Sequence, residues 1–398
     1  MRIFIINVFF LCCTVTIQAQ RMCGSTTNRL LAPVTVASQS NNMPDEQTIV
    51  IPVVVHVVYN LAAENIADAQ IISQIDALNA DFSKLNSDFN KIPSVFAKLA
   101  ANTNIRFELA KSNPMGQTTT GIVRKKTVQT IWKDDDKVKF ATNDGAGAWD
   151  AKSYLNIWVC NTVSGLTGYS SFPGAEMATD GIVVRYDAFG TSGKLAAPFN
   201  KGRTLTHEVG HWLGLKHLWG DQPCGDDGID DTPKQSAGNS GDPVFPKLSD
   251  CSSTQDGDMF MNFMDFTNDA SMGMFTVGQK KMMRSLFSEG GSKNSLLKSK
   301  GLNAAWNNFE PEIMPVNTRN LAVYPNPVHA SNLTLLVNTP MGANGQNFAI
   351  ISTNGQIVKT GHILEMQQQI NVQSLAPGIY QIRLTDVGVS SYTNFIKN

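Results

Sequence analysis

The chain has 398 residues, and its 32 Lys+Arg nearly balance its 33 Asp+Glu, for a formal net charge of −1. At roughly 150 residues per domain, this length predicts two or three domains. The near-neutral charge argues against a broad nucleic-acid-binding surface or a polybasic membrane patch, and a hydrophobic content of 42% excludes disorder as the main state.

Residues 1–19 have the pattern of a secretory signal peptide. Arg2 supplies the positive charge, residues 3–15 form the apolar segment, and Ala19 is a small residue next to the expected cleavage site. This apolar segment is shorter than the ~20 residues that a membrane-spanning helix needs. We therefore expect an exported protein without a transmembrane segment.

Residues 20–48 are polar and have no helix or strand period, which is typical of a prosegment. In the region that follows, at residues 49–305, strands and helices are mixed. Asp68 can cap an amphipathic helix, and a capping box at Thr276 opens another. Strands are predicted at Ile49–Tyr59, Ile105–Ala110, Gly121–Lys125, Leu155–Cys160 and Ile182–Tyr186. The sequence thus predicts an α+β domain.

After a proline-containing linker at residues 306–319, the pattern changes to short strands separated by turns. Asn354-Gly355 is a strong hairpin signal. Strands are predicted at Leu333–Val337, Phe348–Ile351, Gln356–Lys359, Gly378–Leu384 and Tyr392–Lys397. These elements fit a small all-β sandwich at residues 320–398.

Three of the six histidines lie within eleven residues, in the sequence HEVGHWLGLKH that starts at His207. On a helix, His207 and His211 are one turn apart and point the same way, so both can bind one metal ion. Gly214 lets the backbone leave the helix, which brings His217 round as a third ligand. Glu208 is rotated by about 100° from His207, where it can hold a metal-bound water without being a ligand. Three protein ligands leave one position open, as in a catalytic zinc site.

This sequence is the full zinc-binding signature of the metzincins, and the chain resembles the pappalysin family of these proteases. The resemblance covers roughly residues 49–300. It rests on IPVVVHVVY at 51–59, LNIWVCN at 155–161, HEVGHWLGLKH at 207–217, and NFMDF at 262–266 with MFTVGQ at 274–279. It implies a metzincin-like zincin domain, with a mixed twisted sheet, an active-site helix, and Met264 in a tight turn under the zinc. The family's Tyr two residues after that Met is Phe266 here, so any stabilisation of an oxyanion by the Tyr hydroxyl is absent.

The segment from Asp221 to Thr232 contains five carboxylates and two glycines. Oxygen ligands at this density suit calcium, although a solvated acidic loop has the same composition. The resemblance favours calcium, because pappalysin relatives carry it in the matching segment. The candidate ligands are Asp227, Asp230, Asp231 and Thr232.

Four cysteines remain after removal of the signal peptide, in a compartment that permits disulfides. Cys224 and Cys251 frame the stretch between the zinc motif and the Met264 turn, and a bridge between them resembles one in the family. Cys23 lies in the prosegment, where its thiolate could take the open position on the zinc and displace the water. Some secreted metzincins, pappalysins included, are kept latent in this way. A Cys23–Cys160 disulfide, or two free thiols, are the alternatives.

These observations predict a secreted zinc endopeptidase that is made as a latent precursor and acts on proteins or peptides. Glu208 would take the proton from the zinc-bound water as it attacks the scissile carbonyl, and pass it to the leaving amine. The substrate would bind extended and pair with the strand at Ile182–Tyr186. Pappalysins often prefer a basic residue just after the cut bond, and Asp269 is the candidate acidic pocket, with a loop-capping role as its alternative.

Two other functions are compatible with a zinc site. One is a non-catalytic surface adhesion or binding protein, and the other is a zinc amidase that acts on cell-wall crosslinks. Glu208 argues against the first, because a structural zinc site has no need of it.

The C-terminal region resembles the sorting domain of the bacterial type IX secretion system. The resemblance rests on LAVYPNP at 321–327, NGQIV at 354–358, LAPGIYQIRL at 375–384 and FIK at 395–397. It implies the type IX machinery as a partner, and a location that is extracellular or on the outer cell surface after passage through the periplasm. An adhesive or substrate-binding β-domain is the alternative, and no nucleic-acid partner is expected.

Overall fold

The structure is a computed structural model, and it describes most of the chain. The described residues are 21–25, 46–114, 116–252, 254–304, 321–329, 331–337, 346–353, 356–365, 367–384 and 392–398. The signal peptide, most of the prosegment, the linker at 306–319 and the Asn354-Gly355 turn lie outside them. The chain divides into two compact units, Met1–Asn308 and Phe309–Asn398.

In its described residues, the N-terminal unit combines seven strands with four α-helices. The strands are β1 (Met22–Cys23), β2 (Ile49–Tyr59), β3 (Ile105–Leu109), β4 (Ile122–Lys126), β5 (Leu155–Cys160), β6 (Leu166–Ser170) and β7 (Ile182–Arg185). The α-helices are α1 (Asp68–Phe82), α2 (Ser94–Ala97), α3 (Arg203–Trp212) and α4 (Val277–Ser285). Short 3-10 helices occur at Ser87–Lys91, Lys137–Lys139, Ala141–Asn143, Tyr186–Ala188, Asp269–Ser271 and Asn294–Lys298.

All seven strands belong to one mixed sheet, in the order β1-β6-β7-β5-β2-β3, with β4 also paired to β2. Strand β2 pairs in parallel with β3 through its first half and with β4 through its second half, while β5 occupies its other edge. Strand β6 is antiparallel to β7, and β1 adds to β6 in parallel. The sheet therefore extends from β3 to the short strand of the prosegment.

Strand β2 is buried on both faces, as its run of Val and Ile predicts. Ile51, Val53 and Val55 belong to the main hydrophobic core, which also contains the apolar side of α1 and of α3. Val54 and Val58 face the opposite side of the sheet and belong to smaller clusters. Helix α3 is therefore packed against the main hydrophobic core on one face of the sheet.

The structure confirms the predicted α+β class and most of the predicted elements. The capping box at Thr276 and Gln279 is present at the start of α4. Asp68 is not the cap of α1, because the helix begins at Asp68 itself and Ala67 is the N-cap residue. Its carboxylate pairs with Arg124 instead. The sequence did not predict β6, whose segment LTGYS lacks the apolar alternation of a typical strand.

The C-terminal unit is all β. Its strands are β8 (Leu321–Tyr324), β9 (Asn332–Val337), β10 (Gln346–Ser352), β11 (Ile357–Ile363), β12 (Gln367–Asn371), β13 (Gly378–Leu384) and β14 (Tyr392–Lys397). They form two sheets, in the orders β11-β10-β13-β14 and β12-β9-β8. Leu333 and Leu335 of one sheet share a buried cluster with Ile350 and Ile382 of the other. This shared core agrees with the predicted sandwich, while β8 and the polar strand β12 were not predicted.

Within the described part of the chain, no helix has both the length and the apolar content needed to cross a bilayer.

Candidate metal centre

Helix α3 carries two of the three clustered histidines. His207 and His211 lie one turn apart on it, and both are fully buried. The chain turns away after the helix at Gly214, whose φ of +87° is a conformation that favours glycine. This turn brings His217 next to the two helical histidines.

The three imidazoles converge through their Nε2 atoms. His211 Nε2 lies 3.1 Å from His207 Nε2 and 3.0 Å from His217 Nε2. The Nδ1 atoms of His207, His211 and His217 lie 2.7, 2.8 and 2.5 Å from Phe263 O, Leu215 O and Asp221 Oδ1, respectively. A neutral ring that donates from Nδ1 has an unprotonated Nε2. All three Nε2 lone pairs therefore face one point.

This donor set fits zinc. In a tetrahedral site with Zn–N bonds of about 2.0–2.1 Å, ligand nitrogens are roughly 3.4 Å apart, close to the distances between these Nε2 atoms. Burial and the neighbouring imidazoles lower the pKa of His207 and of His211 well below its usual value, which favours the neutral form that binds metal. Three unprotonated nitrogens at this separation repel one another, and a cation between them would remove this repulsion.

Glu208 lies beside this centre on α3, with its side chain buried. Its Oε2 accepts a hydrogen bond from Ser25 Oγ at 3.0 Å. Strand β6 passes close to it, since a Cβ added at Gly168 would lie 3.1 Å from Glu208 Cγ. Among the described residues, the ligand atoms that converge within 4.8 Å are those of the three histidines and Cys23, and Glu208 is not part of that group.

Met264 lies in a tight turn against α3. Asp265 N donates to Asn262 O at 3.1 Å across this turn, and Met264 N donates to Asn262 Oδ1 at 2.9 Å. The helix residue that faces it is Gly210, where an added Cβ would be 2.4 Å from Met264 Sδ. The glycine of the zinc motif therefore allows the Met264 side chain to pack directly on the helix.

Phe266 packs around the third histidine. Its ring centroid is 4.7 Å from that of His217 and 4.8 Å from that of Trp219, and Trp219 itself stacks on His217 at 4.6 Å. An aromatic ring at this position thus packs against His217 and Trp219, although Phe266 lacks the hydroxyl of the family's Tyr.

Cys23 lies at the same centre. Its Sγ and the three histidine nitrogens are all within 4.8 Å of one another. Burial, followed by the charge of Glu208, raises the pKa of the Cys23 thiol well above its usual value. Cys23 and Cys160 are both free and buried, so the structure does not contain the disulfide between them that was considered as an alternative.

The prosegment residues around Cys23 add one strand to the sheet, beside the histidine cluster. We call the space that they fill the cleft. Strand β1 pairs in parallel with β6, and Gly24 N donates to Gly168 O at 3.0 Å. The prediction that Ile182–Tyr186 pairs with a bound peptide is wrong, because β7 is already hydrogen-bonded to β5 and β6 on its two sides. The strand that receives an extended segment here is β6.

Asp269, the candidate pocket residue, binds Arg21 of the prosegment. Arg21 Nη2 lies 2.5 Å from Asp269 Oδ1, and Arg21 Nη1 donates to Thr204 Oγ1 at 3.0 Å. The guanidinium also lies over the Phe199 ring, 4.9 Å from its centroid. Asp269 Oδ2 accepts from Lys201 N at 2.7 Å, so the carboxylate both holds the local chain and binds a cation.

The four candidate calcium ligands do not form one cluster. Thr232 Oγ1 donates to Asp227 Oδ1 at 2.8 Å. Asp231 instead accepts hydrogen bonds from Thr276 Oγ1 and Gly278 N at the start of α4, and Asp230 is exposed. Asp227 Oδ2 is buried without a hydrogen-bond partner, and burial raises the pKa of this carboxyl to about 7.

Cys224 and Cys251 form a disulfide, as the resemblance implies, with their Cα atoms 5.5 Å apart and a sequence separation of 27. A crosslink over this separation is worth ~3 kcal/mol in a chain-entropy estimate. It closes the loop between the third histidine and the Met264 turn.

Sequence reasoning did not identify Arg21, Ser25, Thr204 or Asp221 as parts of the site. For Asp221 a signal was available, since it is a carboxylate four residues after a metal-ligating histidine. The contacts of Arg21 and Ser25 join positions more than 180 residues apart in sequence, and no local pattern indicates them.

Comparison with known proteins identifies relatives for both units. The model of a peptidase family described as pregnancy-associated plasma protein-A matches residues 139–288, and a secretion system C-terminal sorting domain matches residues 322–398. An extracellular metalloprotease of Verticillium alfalfae is 30% identical over an alignment of 282 positions that covers 67% of this chain and 89% of that protein.

Two solved structures share the fold and much of the sequence. A promirolysin mutant of Tannerella forsythia is 46% identical with a TM-score of 0.67, over 70% of this chain and 97% of that one. Mature mirolysin of Tannerella forsythia, in complex with a cleaved peptide, is 50% identical with a TM-score of 0.62, over 63% of this chain and 96% of that one.

Proposed function

Because the chain belongs to the pappalysin family of metzincin metalloendopeptidases, we propose that it is a zinc-dependent endopeptidase with Glu208 as its general base and that it is made as a latent precursor. The observation that carries this proposal is the convergence of three histidine Nε2 atoms in a buried site beside a carboxylate. His207, His211 and His217 would hold the metal. A zinc ion held there supplies Lewis acidity, which acidifies a water molecule and polarises the scissile carbonyl.

Glu208 performs the proton transfers in this proposal. Its carboxylate takes a proton from the attacking water as the carbon–oxygen bond forms, and returns it to the amine as the carbon–nitrogen bond breaks. A substrate that takes the place of the prosegment along β6 would exclude bulk water, and the low local dielectric would strengthen each electrostatic interaction with the reacting atoms. Phe266 has no hydroxyl and so contributes no hydrogen bond to this chemistry. Its ring packs on His217.

Latency would come from three contacts of the prosegment in the cleft. Cys23 lies among the metal ligands, Ser25 donates to Glu208, and Arg21 binds Asp269. Cys23 would supply a fourth ligand, while Ser25 engages the general base. Together they occupy the position of the water and the acceptor of its proton.

The binding of Arg21 also supports a preference for substrates with a basic residue after the cut bond. With Arg21 bound to it, Asp269 is fully buried, and a cationic substrate side chain that replaces Arg21 would again balance its charge. We expect Asp269→Asn to reduce cleavage before Arg and Lys in a peptide library, and an unchanged library profile would remove Asp269 from this role.

Calcium is the proposed occupant of the acidic segment after the zinc motif. Its support is the resemblance together with the buried Asp227 Oδ2, which has no hydrogen-bond partner. Coordination by a cation would satisfy this oxygen. Removal of calcium with a selective chelator should lower the Tm of the protein, and an unchanged Tm would contradict the proposal.

The protein is secreted or displayed at the cell surface, in agreement with the extracellular relatives and the sorting domain. The sorting domain implies an interaction with a secretion machinery, and we propose that this is the type IX system. Peptide substrates follow from the protease family.

Glu208→Gln tests the proposed function, because it keeps the size of the side chain and removes the base. The activated variant should lose casein or gelatin hydrolysis by more than 100-fold while its zinc content is unchanged. Glu176→Gln, the same change at an exposed position, should retain full activity. Activated wild-type protein that does not cleave these substrates would contradict the endopeptidase and favour an adhesion protein or a cell-wall amidase.

A further inference from the structure

The three histidines differ in what holds their Nδ1 atoms. For His207 and His211 the partner is a neutral backbone carbonyl. For His217 it is the carboxylate of Asp221, with Nδ1 only 2.5 Å from Oδ1. One ligand therefore has a charged partner that a side-chain substitution can change.

His217 is also the ligand that the helix does not position. His207 and His211 are fixed by their spacing on α3, whereas His217 follows the turn at Gly214 and lies on irregular chain. Trp219 stacks on one face of its ring with an angle of 3° between the planes. Stacking restrains the tilt of the ring but not its rotation in its own plane, which a hydrogen bond at Nδ1 does restrain.

The backbone after His217 places Asp221 for this contact. Gly220 N donates to His217 O at 2.8 Å, and Gly220 and Asp221 have φ values of +56° and +58°. Two successive residues in this left-handed conformation fold the chain back on itself. Apart from glycine, Asp and Asn are the residue types that adopt this conformation most readily.

We propose that Asp221 is a positioning residue that orients His217 and raises the affinity of the centre for zinc. A carboxylate that accepts the Nδ1 proton polarises the imidazole, so Nε2 becomes a stronger donor. Its negative charge also offsets part of the charge of a dication whose histidine ligands are all neutral. The side chains of His217 and Asp221 are only 2% and 18% exposed, so solvent screens this interaction weakly. The inference rests on the proposed zinc site and concerns affinity rather than the chemical step.

The test is the dissociation constant for zinc, measured by competition with a chromophoric chelator. The full chain is used with Cys23→Ala and Glu208→Gln, so that neither a fourth protein ligand nor self-cleavage interferes. Added to this parent, Asp221→Asn keeps an acceptor for Nδ1 and suits the left-handed backbone, but removes the charge. Asp221→Ala removes both the charge and the hydrogen bond.

We expect zinc to bind about 10-fold more weakly to the Asn variant and up to 100-fold more weakly to the Ala variant. The visible spectrum of the cobalt-substituted parent should change in both variants, because the field of the His217 ligand changes. Asp226→Asn is the matched control: it removes the same charge from the same segment, where the Asp226 carboxylate lies 3.4 Å from Lys234 and the side chain is 58% exposed. It should leave zinc affinity and the cobalt spectrum unchanged.

Zinc affinity within threefold of the parent in both Asp221 variants would overturn the inference and leave the proposed function standing. An equal loss in the Asp226 control would also overturn it, because the effect would then come from general charge. A parent that binds no zinc would instead overturn the proposed function, and this inference with it.

Discussion

Ser25 contacts the proposed general base directly. The proposed latency therefore depends on Ser25 as well as on Cys23. The Ser25 hydroxyl donates to Glu208 Oε2 at 3.0 Å and accepts from Ser170 N at 2.7 Å, so it connects the carboxylate to strand β6. The Ser25 amide in turn donates to Cys23 Sγ at 3.2 Å. Cys23 and Ser25 therefore support one another, and the loss of either should weaken the closed form.

Removing these contacts should shorten the lag before the precursor becomes active. Hydrogen bonds to charged groups contribute about 1.5–3 kcal/mol, so Ser25→Ala should raise the open fraction about 10-fold or more. Cys23→Ala should shorten the lag further, because a metal ligand is lost as well. Progress curves with a quenched peptide substrate measure the lag at equal protein concentration.

Cys160→Ala is the control for this experiment, since it removes the other free thiol, which lies in β5 and is not part of the cluster formed by Cys23 and the three histidines. Its lag should equal that of the wild type. A Cys23→Ala precursor with an unshortened lag would rule out the cysteine as the source of latency.

The convergence of the three histidines could be predicted from sequence, whereas the residues that contact their Nδ1 atoms could not. The spacing of His207 and His211 on one helical face follows from helix geometry alone. Asp221 contacts His217 only because Gly220 and Asp221, both in the left-handed conformation, reverse the chain. Arg21 contacts Asp269 only because the prosegment lies next to it. Such contacts depend on how the chain folds over long distances, which a local pattern does not record.

Helix α3 and the Met264 turn can pack closely because Gly210 has no side chain. Alanine in place of glycine normally stabilises a helix by up to ~1 kcal/mol. Here the new Cβ would lie 2.4 Å from the sulfur of a fully buried methionine. Overpacking of this kind costs about 1–3 kcal/mol, so the steric cost should exceed the gain in helix propensity.

We therefore expect Gly210→Ala to lower the free energy of unfolding by about 1–2 kcal/mol net. Met264→Ala should destabilise the wild type but much less so the Gly210→Ala variant, because the smaller side chain removes the clash. Urea unfolding of the four proteins gives the coupling energy between the two positions. Additive effects would show that Gly210 is not needed for this packing.

Strand β6 shows why elements near the site were harder to predict than those of the core. Its segment has Gly168 in the middle, where a Cβ would meet Val183 O at 2.9 Å and Glu208 Cγ at 3.1 Å. Glycine weakens the strand signal in the sequence but makes room for the general base. By contrast, β2 and β5 are buried apolar runs, and their bounds were predicted correctly.

The stability of the whole N-terminal unit should depend on pH through His56 in strand β2. His56 is 1% exposed and stacks on Trp158, and its Nε2 lies 2.9 Å from Asn156 Oδ1. Burial lowers the pKa of His56 from 6.5 to about 4, while the bond to Asn156 opposes this shift. Because the unfolded chain binds the proton more readily, stability from the neutral ring is present above about pH 6.5 and is lost as pH falls towards 4.

At about 1.4 kcal/mol per pH unit, this shift corresponds to a loss of about 3 kcal/mol in the free energy of unfolding between these pH values. His56→Gln should unfold more easily at neutral pH but lose less stability on acidification. Urea unfolding at constant excess zinc between pH 4 and 7 compares the two proteins. His329→Gln, at an exposed position, should follow the wild type, and parallel curves for all three would remove His56 as the source.

At the scale of the molecule, the spacing of apolar residues and turn signals predicted two folded regions, an α+β one and an all-β one. This was possible because hydrophobic periodicity reports secondary structure directly. The pairing of strands was not predictable to the same degree. Strand β7 lies inside the sheet because β6 covers one of its edges. The sequence of β6 has no strand signal, so β7 was predicted to be the strand that pairs with an extended segment, whereas that strand is β6.

The covalent attachment of the five residues Arg21–Ser25 also has a kinetic consequence. While they belong to the same chain as the catalytic cleft, they bind at a high effective concentration that does not depend on how dilute the protein is. Proteolysis between Ser25 and β2 would leave the same contacts in place but turn them into those of a free peptide. Activation would then take two steps, a cut followed by dissociation, and concentrated enzyme would remain inhibited by its own released prosegment until it is diluted.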